Sequence, residues 1–290
     1  MAVKFVIVTF ALVFCCAAQL VEDEGESPKP EEPDESYYSY GLLVTKLDTL
    51  KKKLAKLDNI ERKLNKLDDV EQQLSRIEQT MANSVFESCS AEPSKMSGKY
   101  RLQPNVYEQS FVGFCEQEKY GGGWLVIQHR FDGSVNFYRN WTDYKNGFGK
   151  IDGEFWIGLE RLHKLTKDKN VALMVEIEDY DGNYGFARYE NFEIGGETEK
   201  YVLKRIDGHS GSLQDSMSNT KGSMFTTRDS NNDKNGSANC AQLEKGAWWY
   251  NNCSHTNPNG PFQKQGAWQK IYWYKHEGGV QLKFFRMMIK

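Results

Sequence analysis

The run Gly121-Gly122-Gly123-Trp124-Leu125-Val126-Ile127-Gln128 is followed closely by Asp132-Gly133-Ser134-Val135-Asn136-Phe137-Tyr138-Arg139-Asn140-Trp141. Glycines punctuate the chain before a short apolar stretch, and an Asp-Gly pair closes it, which is the pattern of a strand bounded by turns. Val171-Ala172-Leu173-Met174-Val175-Glu176-Ile177 reads the same way, and Asp152-Gly153, Asp181-Gly182, Asn235-Gly236 and Asn259-Gly260 add further turns. Helical periodicity is weak apart from residues 154–165. From Cys89 onward the chain therefore reads as α+β, with an irregular, loop-rich C-terminal half.

Upstream the pattern changes. Three tandem ten-residue units begin at Lys46, Lys56 and Lys66, each with apolar residues at its second, fifth and ninth positions. Steps of three and four residues make a narrow helical stripe, and neither Gly nor Pro interrupts it. A heptad shortened by three overwinds a left-handed seam. Such a helix needs copies of itself to cover the stripe, so residues 41–86 are expected as a coiled coil and the protein as a homo-oligomer, with Leu and Ile at the seam favouring a trimer. Residues 19–40 form an acidic, proline-containing linker. Before them, Lys4, an apolar run from Phe5 to Phe14 and small residues up to Ala18 read as a signal peptide, 1–18, too short to span a bilayer. The expected location is extracellular.

Removal of that peptide takes Cys15 and Cys16 with it and leaves Cys89, Cys115, Cys240 and Cys253. An even number in an oxidising compartment favours disulfides, and the spacings suggest Cys89 with Cys115 and Cys240 with Cys253. The formal net charge of −3 over 290 residues gives no field that would draw the whole protein to nucleic acid or into a membrane. His129, His163, His209, His255 and His276 are scattered, and Gly208-His209-Ser210-Gly211 lacks the last glycine of a nucleophile elbow, so no catalytic site is expected.

The opening runs, with Tyr144-Lys-Asn-Gly-Phe-Gly149, Gly153-Glu-Phe-Trp-Ile-Gly-Leu-Glu160, Asn239-Cys-Ala241 and Gly246-Ala-Trp-Trp-Tyr-Asn-Asn-Cys253, closely resemble the fibrinogen-like domain of ficolins, tachylectins, angiopoietins and invertebrate fibrinogen-related proteins. The resemblance covers residues 87–290. It implies a fibrinogen C-terminal-like globular domain: an N-terminal subdomain closed by Cys89–Cys115, a central antiparallel sheet with helices, and a loop-built C-terminal subdomain that holds calcium and ligand.

Asp229, Asn231, Asp233, Asn235 and Ser237 place side-chain oxygens at every second position, a spacing that can aim hard ligands at one Ca²⁺. The loop is not an EF-hand, because Lys234 and Cys240 stand at its sixth and twelfth positions. The resemblance implies Asn231 and Asp233 as side-chain ligands, with carbonyls near Asn235 and Ser237. Asn231 replaces the usual Asp, which removes a formal charge and weakens the site. For the ligand, the resemblance implies a cis peptide at Asn252–Cys253 that turns amides toward an acetyl oxygen. Tyr250, Ser254, His255 and Trp268 complete the pocket, with Ser254 where acetyl-binding members often carry His. At least one of Trp248 and Trp249 is expected in the core. Asn140-Trp-Thr142 and Asn235-Gly-Ser237 are glycosylation sequons. The expected function is that of a secreted, lectin-like immune recognition protein for acetylated glycans or microbial surfaces. The alternative is a secreted receptor ligand or adhesive matrix protein.

Overall fold

The computed structural model describes residues 35–253, 255–262, 269–274 and 280–290. The signal segment 1–18 and the linker up to residue 34 lie outside these, as do Ser254 and Trp268. The chain divides into two units at Leu74 and Ser75.

The first unit is built on helix α1 (Glu35–Asn83). It begins within the span expected as linker, because beyond Pro33 nothing breaks a helix. Leu47, Leu50, Leu54, Leu57, Ile60, Leu64 and Leu67 stay between 52% and 63% exposed. A stripe that apolar and that open fits a coiled-coil stalk, since a lone helix gains little from propensity. Among the described residues no helix is long and apolar enough to cross a membrane.

The second unit takes in the last residues of α1 and then β1 (Val85–Phe86), residues expected as the end of the coiled coil. They pair in parallel with β2 (Gly98–Leu102), where Phe86 meets the Tyr100 ring edge-on at 5.8 Å. Next come β3 (Phe111–Glu116), β4 (Trp124–Arg130), α2 (Trp141–Asn146), the short β5 (Phe148–Gly149) and β6 (Phe155–Trp156), and α3 (Leu159–Thr166). They are followed by β7 (Leu173–Asp179), β8 (Tyr184–Tyr189), β9 (Asn191–Ile194), β10 (Leu203–Asp207), β11 (Ser210–Gly211), α4 (Cys240–Leu243) and β12 (Leu282–Ile289). The main sheet runs β1-β2-β3-β4-β12-β7-β8-β11, and every pair after the first is antiparallel. The last strand of the chain therefore lies at its centre. The expected α+β class and central antiparallel sheet are what the structure holds.

The glycine triplet of the opening run has a local cause. Gly121, Gly122 and Gly123 have φ of 76°, 66° and 79°, and a Cβ on Gly122 would stand 2.5 Å from the Gln117 carbonyl oxygen. This crossing, accessible to glycine, delivers Trp124 into the core. Inward residues of the sheet, such as Ile127, Val175, Ile177 and Phe285, pack with Tyr144 of α2 and with Leu159 and Leu162 of α3. The loop segment 226–274 packs against the same core through Trp248, Trp249 and Trp273, all fully buried.

Candidate functional site

The loop between β11 and α4 is organised by its own polar side chains. Asp229 accepts from the Thr227 hydroxyl at 2.7 Å and from the Trp141 backbone N–H at 3.0 Å, so it is committed to the start of α2. Asn231 is exposed and accepts from the Asp233 N–H at 3.3 Å. One Asp233 oxygen accepts from the Asn235 N–H and the other from the Cys240 N–H, each at 2.9 Å. Asn235 Oδ1 accepts from Ser237 N–H, Ser237 hydroxyl and Ala238 N–H at 3.0, 2.9 and 3.2 Å. Asn239 then caps α4 by accepting from the Gln242 N–H at 3.2 Å.

Both expected disulfides are present, Cys89–Cys115 and Cys240–Cys253. The second joins the start of α4 to Asn251-Asn252-Cys253. That segment is tied to the polar loop again where the Lys234 N–H donates to the Asn251 carbonyl at 2.8 Å, and Asn235 Nδ2 points at Cys253 Sγ from 3.9 Å. Among the described residues no peptide is cis, Asn252–Cys253 included. The expected cis bond is replaced by a turn of trans peptides in which the Asn251 N–H donates to the Cys253 carbonyl at 2.7 Å. A trans bond avoids the cost of about 3–4 kcal/mol that a non-proline cis bond carries.

Tyr250, expected at the ligand, is fully buried beneath the loop, and its hydroxyl donates to Asn257 Oδ1 at 2.7 Å. Trp248 and Trp249 are both in the core. They pack at 4.8 Å, and the Trp249 indole donates to the Tyr201 carbonyl at 2.8 Å. Nearby, burial pushes the Glu244 carboxyl up, and a hydrogen bond with Tyr272 pulls it partly back. At the surface, Asn252 and His255 are exposed, and the His255 ring stacks on Tyr274 at 5.5 Å. Tyr274, 56% exposed, was not picked out from the sequence. Its one signal is its place just after the alternating Ile271-Tyr272-Trp273. A cavity of about 290 Å³ lies elsewhere, beside Cys89, lined by Leu102, Phe111, Leu125, Val171 and Ile289.

Residues 87–290 match the family described as fibrinogen beta and gamma chains, C-terminal globular domain. The chain belongs to this family. It is 39% identical to mouse angiopoietin-related protein 7 over 225 residues, 74% of this chain and 66% of that one. It is 43% identical to ryncolin-4 of Cerberus rynchops over 169 residues, 58% of this chain and 48% of that one. The chain spans about 40% to 66% of the length of the curated relatives it matches. Among solved structures it is similar to the fibrinogen-like globe domain of human ANGPTL2, with TM-score 0.67, 39% identity, and 71% and 98% of the two chains covered. It is also similar to lamprey fibrin D-dimer in complex with the peptide ligand Gly-His-Arg-Pro-amide, with TM-score 0.63, 26% identity, and 88% and 92% covered. The fibrinogen-like families matched here are non-enzymatic binding proteins.

Within the fibrinogen-like head, the polar loop is where the resemblance would put a hard cation. Its donor set is all oxygen, drawn from Asn231, Asp233 and the carbonyls near Asn235 and Ser237. With a single carboxylate that already accepts two N–H groups, such a site would hold calcium weakly. Among the described residues there is no group of three or more His, Cys, Asp and Glu that could hold a metal. Bound calcium would supply only charge and rigidity to this loop.

Proposed function

We propose that this protein is a secreted, oligomeric, lectin-like recognition protein whose head binds acetylated glycans or microbial surfaces at the face formed by Asp233, Asn252, Cys253 and His255, supported by calcium. One observation carries the reading: the polar loop and the disulfide-closed segment are a single hydrogen-bonded unit, through Asp233 to Cys240 and Lys234 to Asn251. A cation that orders the first orders the second. Secretion is supported by the N-terminal apolar run and by two disulfides, which persist in oxidising compartments. The exposed stripe of α1 supports self-association, which brings several weak heads to one surface. Asn140 is the better candidate for a glycan, because it caps α2 through its oxygen, whereas Asn235 turns its nitrogen toward the disulfide.

The test is a glycan and bacterial-surface array probed with the full chain, with calcium and with chelator. N-acetylglucosamine and glucosamine are then titrated by NMR. Calcium-dependent binding of the acetylated sugar alone is expected, whereas equal or absent shifts for both sugars would sink the reading. The second reading is a secreted ligand for a cell-surface protein. It is favoured by a specific observation: similarity to an angiopoietin-related protein extends over 74% of this chain, against 58% for ryncolin-4.

A further inference from the structure

Arg228, Lys245 and Lys200 of the head each lie over an aromatic ring. The Arg228 guanidinium is 5.3 Å, and the Lys245 ammonium 5.2 Å, from the centroid of one ring, Tyr138. The Lys200 ammonium is 5.6 Å from the Trp141 ring. Neighbouring basic groups are neutralised, Arg139 by Asp143 and Lys145 by Glu197. Arg228, Lys245 and Lys200 form no ion pair among the described residues.

The fold holds these groups in place from several elements. Tyr138 and Trp141 stand three residues apart at the approach to α2, and Asp229 fastens residue 228 beside them by accepting the Trp141 N–H. The Arg228 carbonyl accepts from Gln242 of α4 at 2.8 Å, and Lys245 lies just past the Glu244 cap of that helix. Lys200 and Lys245 adopt φ of 53° and 49°, a left-handed conformation uncommon for a residue with a Cβ. Ring quadrupoles attract each cation but do not neutralise it. An anion would. Two carboxylates of this region are already engaged: Asp229 by the Thr227 hydroxyl and the Trp141 N–H, and Glu197 by Lys145 and the Trp141 indole.

We propose that Tyr138, Arg228 and Lys245, continued by Trp141 and Lys200, form a subsite for an acidic polysaccharide. Its sulfate or carboxylate takes the Arg228 fork and the Lys245 charge, and sugar C–H groups pack on the exposed parts of the rings. The net charge of −3 does not oppose this, because at physiological salt a local patch is felt over about 8 Å. The subsite uses no residue of the acetyl-binding face and no calcium.

The experiment uses the full chain carrying Thr142→Ala, so that no glycan at Asn140 covers the strip. Immobilised heparin is the probe and neutral dextran the control. Retention on heparin alone is expected, unchanged by chelator. Arg228→Gln with Lys245→Gln should weaken it by about tenfold for each cation removed, the scale of one charge-assisted hydrogen bond. Arg228→Lys with Lys245→Arg should keep most of it. Lys99→Gln with Lys221→Gln removes two charges that are paired with Asp152 and Asp207, and should change little. No preference for heparin over dextran overturns the proposal, as does an equal loss in the two Gln pairs. Titration of N-acetylglucosamine should be the same in all forms, which separates this outcome from failure of the acetyl-binding reading.

Discussion

The central sheet and the loop segment 226–274 share one core but are held by different forces. In the sheet, backbone ladders fix the register, as between β12 and β7 from Leu282 opposite Asp179 to Ile289 opposite Leu173, and apolar side chains fill one face. In the loop segment, polar side chains take the place of the ladder. Asn232 donates to the Phe225 carbonyl, Asn257 to the carbonyls of Glu244 and Lys270, and Asn259 to that of Ala247. A structure of the second kind depends on single side chains, each satisfying several backbone groups. Substitutions there should act locally, whereas charges buried at the sheet should act globally.

The largest expected effect is where the two regions meet. Arg130 of β4 donates to the carbonyls of Pro258 and Gly260 at 3.0 Å, and its fully buried partner Glu154 accepts N–H groups from Phe131, Asp132, Gly133 and Val135. Glu154→Ala leaves that turn and a buried guanidinium unpaired, and should cost about 3–5 kcal/mol. Denaturant unfolding checks it. A loss under 1 kcal/mol would mean that the turn and Arg130 are satisfied without the carboxylate.

Next in size is Cys253→Ser. Opening a loop of sequence separation 13 should cost about 2–4 kcal/mol. Amide exchange should rise around Asn251 and Asn235 before it rises in β7 or β12, and uniform exchange across the head would erase the contrast between the two regions.

These forces also explain what the sequence disclosed. Trp124–Gln128 and Val171–Ile177 were legible because apolar runs between turns have few other uses. The central strand β12 was not, since Arg286 sits within it. Its partners Glu116 and Glu176 are 170 and 110 residues away along the chain, and only the folded sheet shows that they neutralise it. In the loop, alternating oxygens were visible, but their aim was not. Nothing local distinguishes Asp229, turned to Trp141, from Asp233, turned to Cys240. Tyr250 looked like a pocket wall because an aromatic run reads alike in a core and at a surface.

Titratable groups buried along the sheet give a smaller effect, confined to acid. Burial first, and Arg286 second, bring His129 down from 6.5 to about 4. Between those values the unfolded chain binds the proton and the folded one does not, so stability falls as pH drops from 6.5 toward 4. Burial alone would raise Glu176. The Tyr184 hydroxyl, Arg286 and Lys119 outweigh it and hold the carboxyl below its ordinary value of 4.5. Its stabilisation is complete above 4.5 and is lost on further acidification. His129→Gln should flatten the upper part of the pH profile and leave the lower part. Parallel profiles for both proteins would show that His129 does not carry the upper slope.

The smallest expected effect is at Asp233, where two roles must be separated. Without calcium, Asp233→Ala removes the acceptor of the Asn235 and Cys240 N–H groups. Asp233 and Asn235 are half-buried, so water replaces part of the lost hydrogen bonding even though Cys240 is buried, and the loss in chelator should be about 1 kcal/mol. Asp233→Asn keeps an acceptor for one N–H and should lose less. Calcium reverses the comparison, because binding a hard cation depends on the carboxylate charge and not on its hydrogen bonds. Wild-type protein should gain melting temperature as calcium rises through the millimolar range, and both variants should stay flat, Asn as fully as Ala. If Asp233→Asn follows the wild type, the charge is dispensable and the cation, if any, sits elsewhere. If wild type and both variants are flat together, Asp233 is a loop brace alone, and the acetyl-binding face must stand on the disulfide without help from a metal.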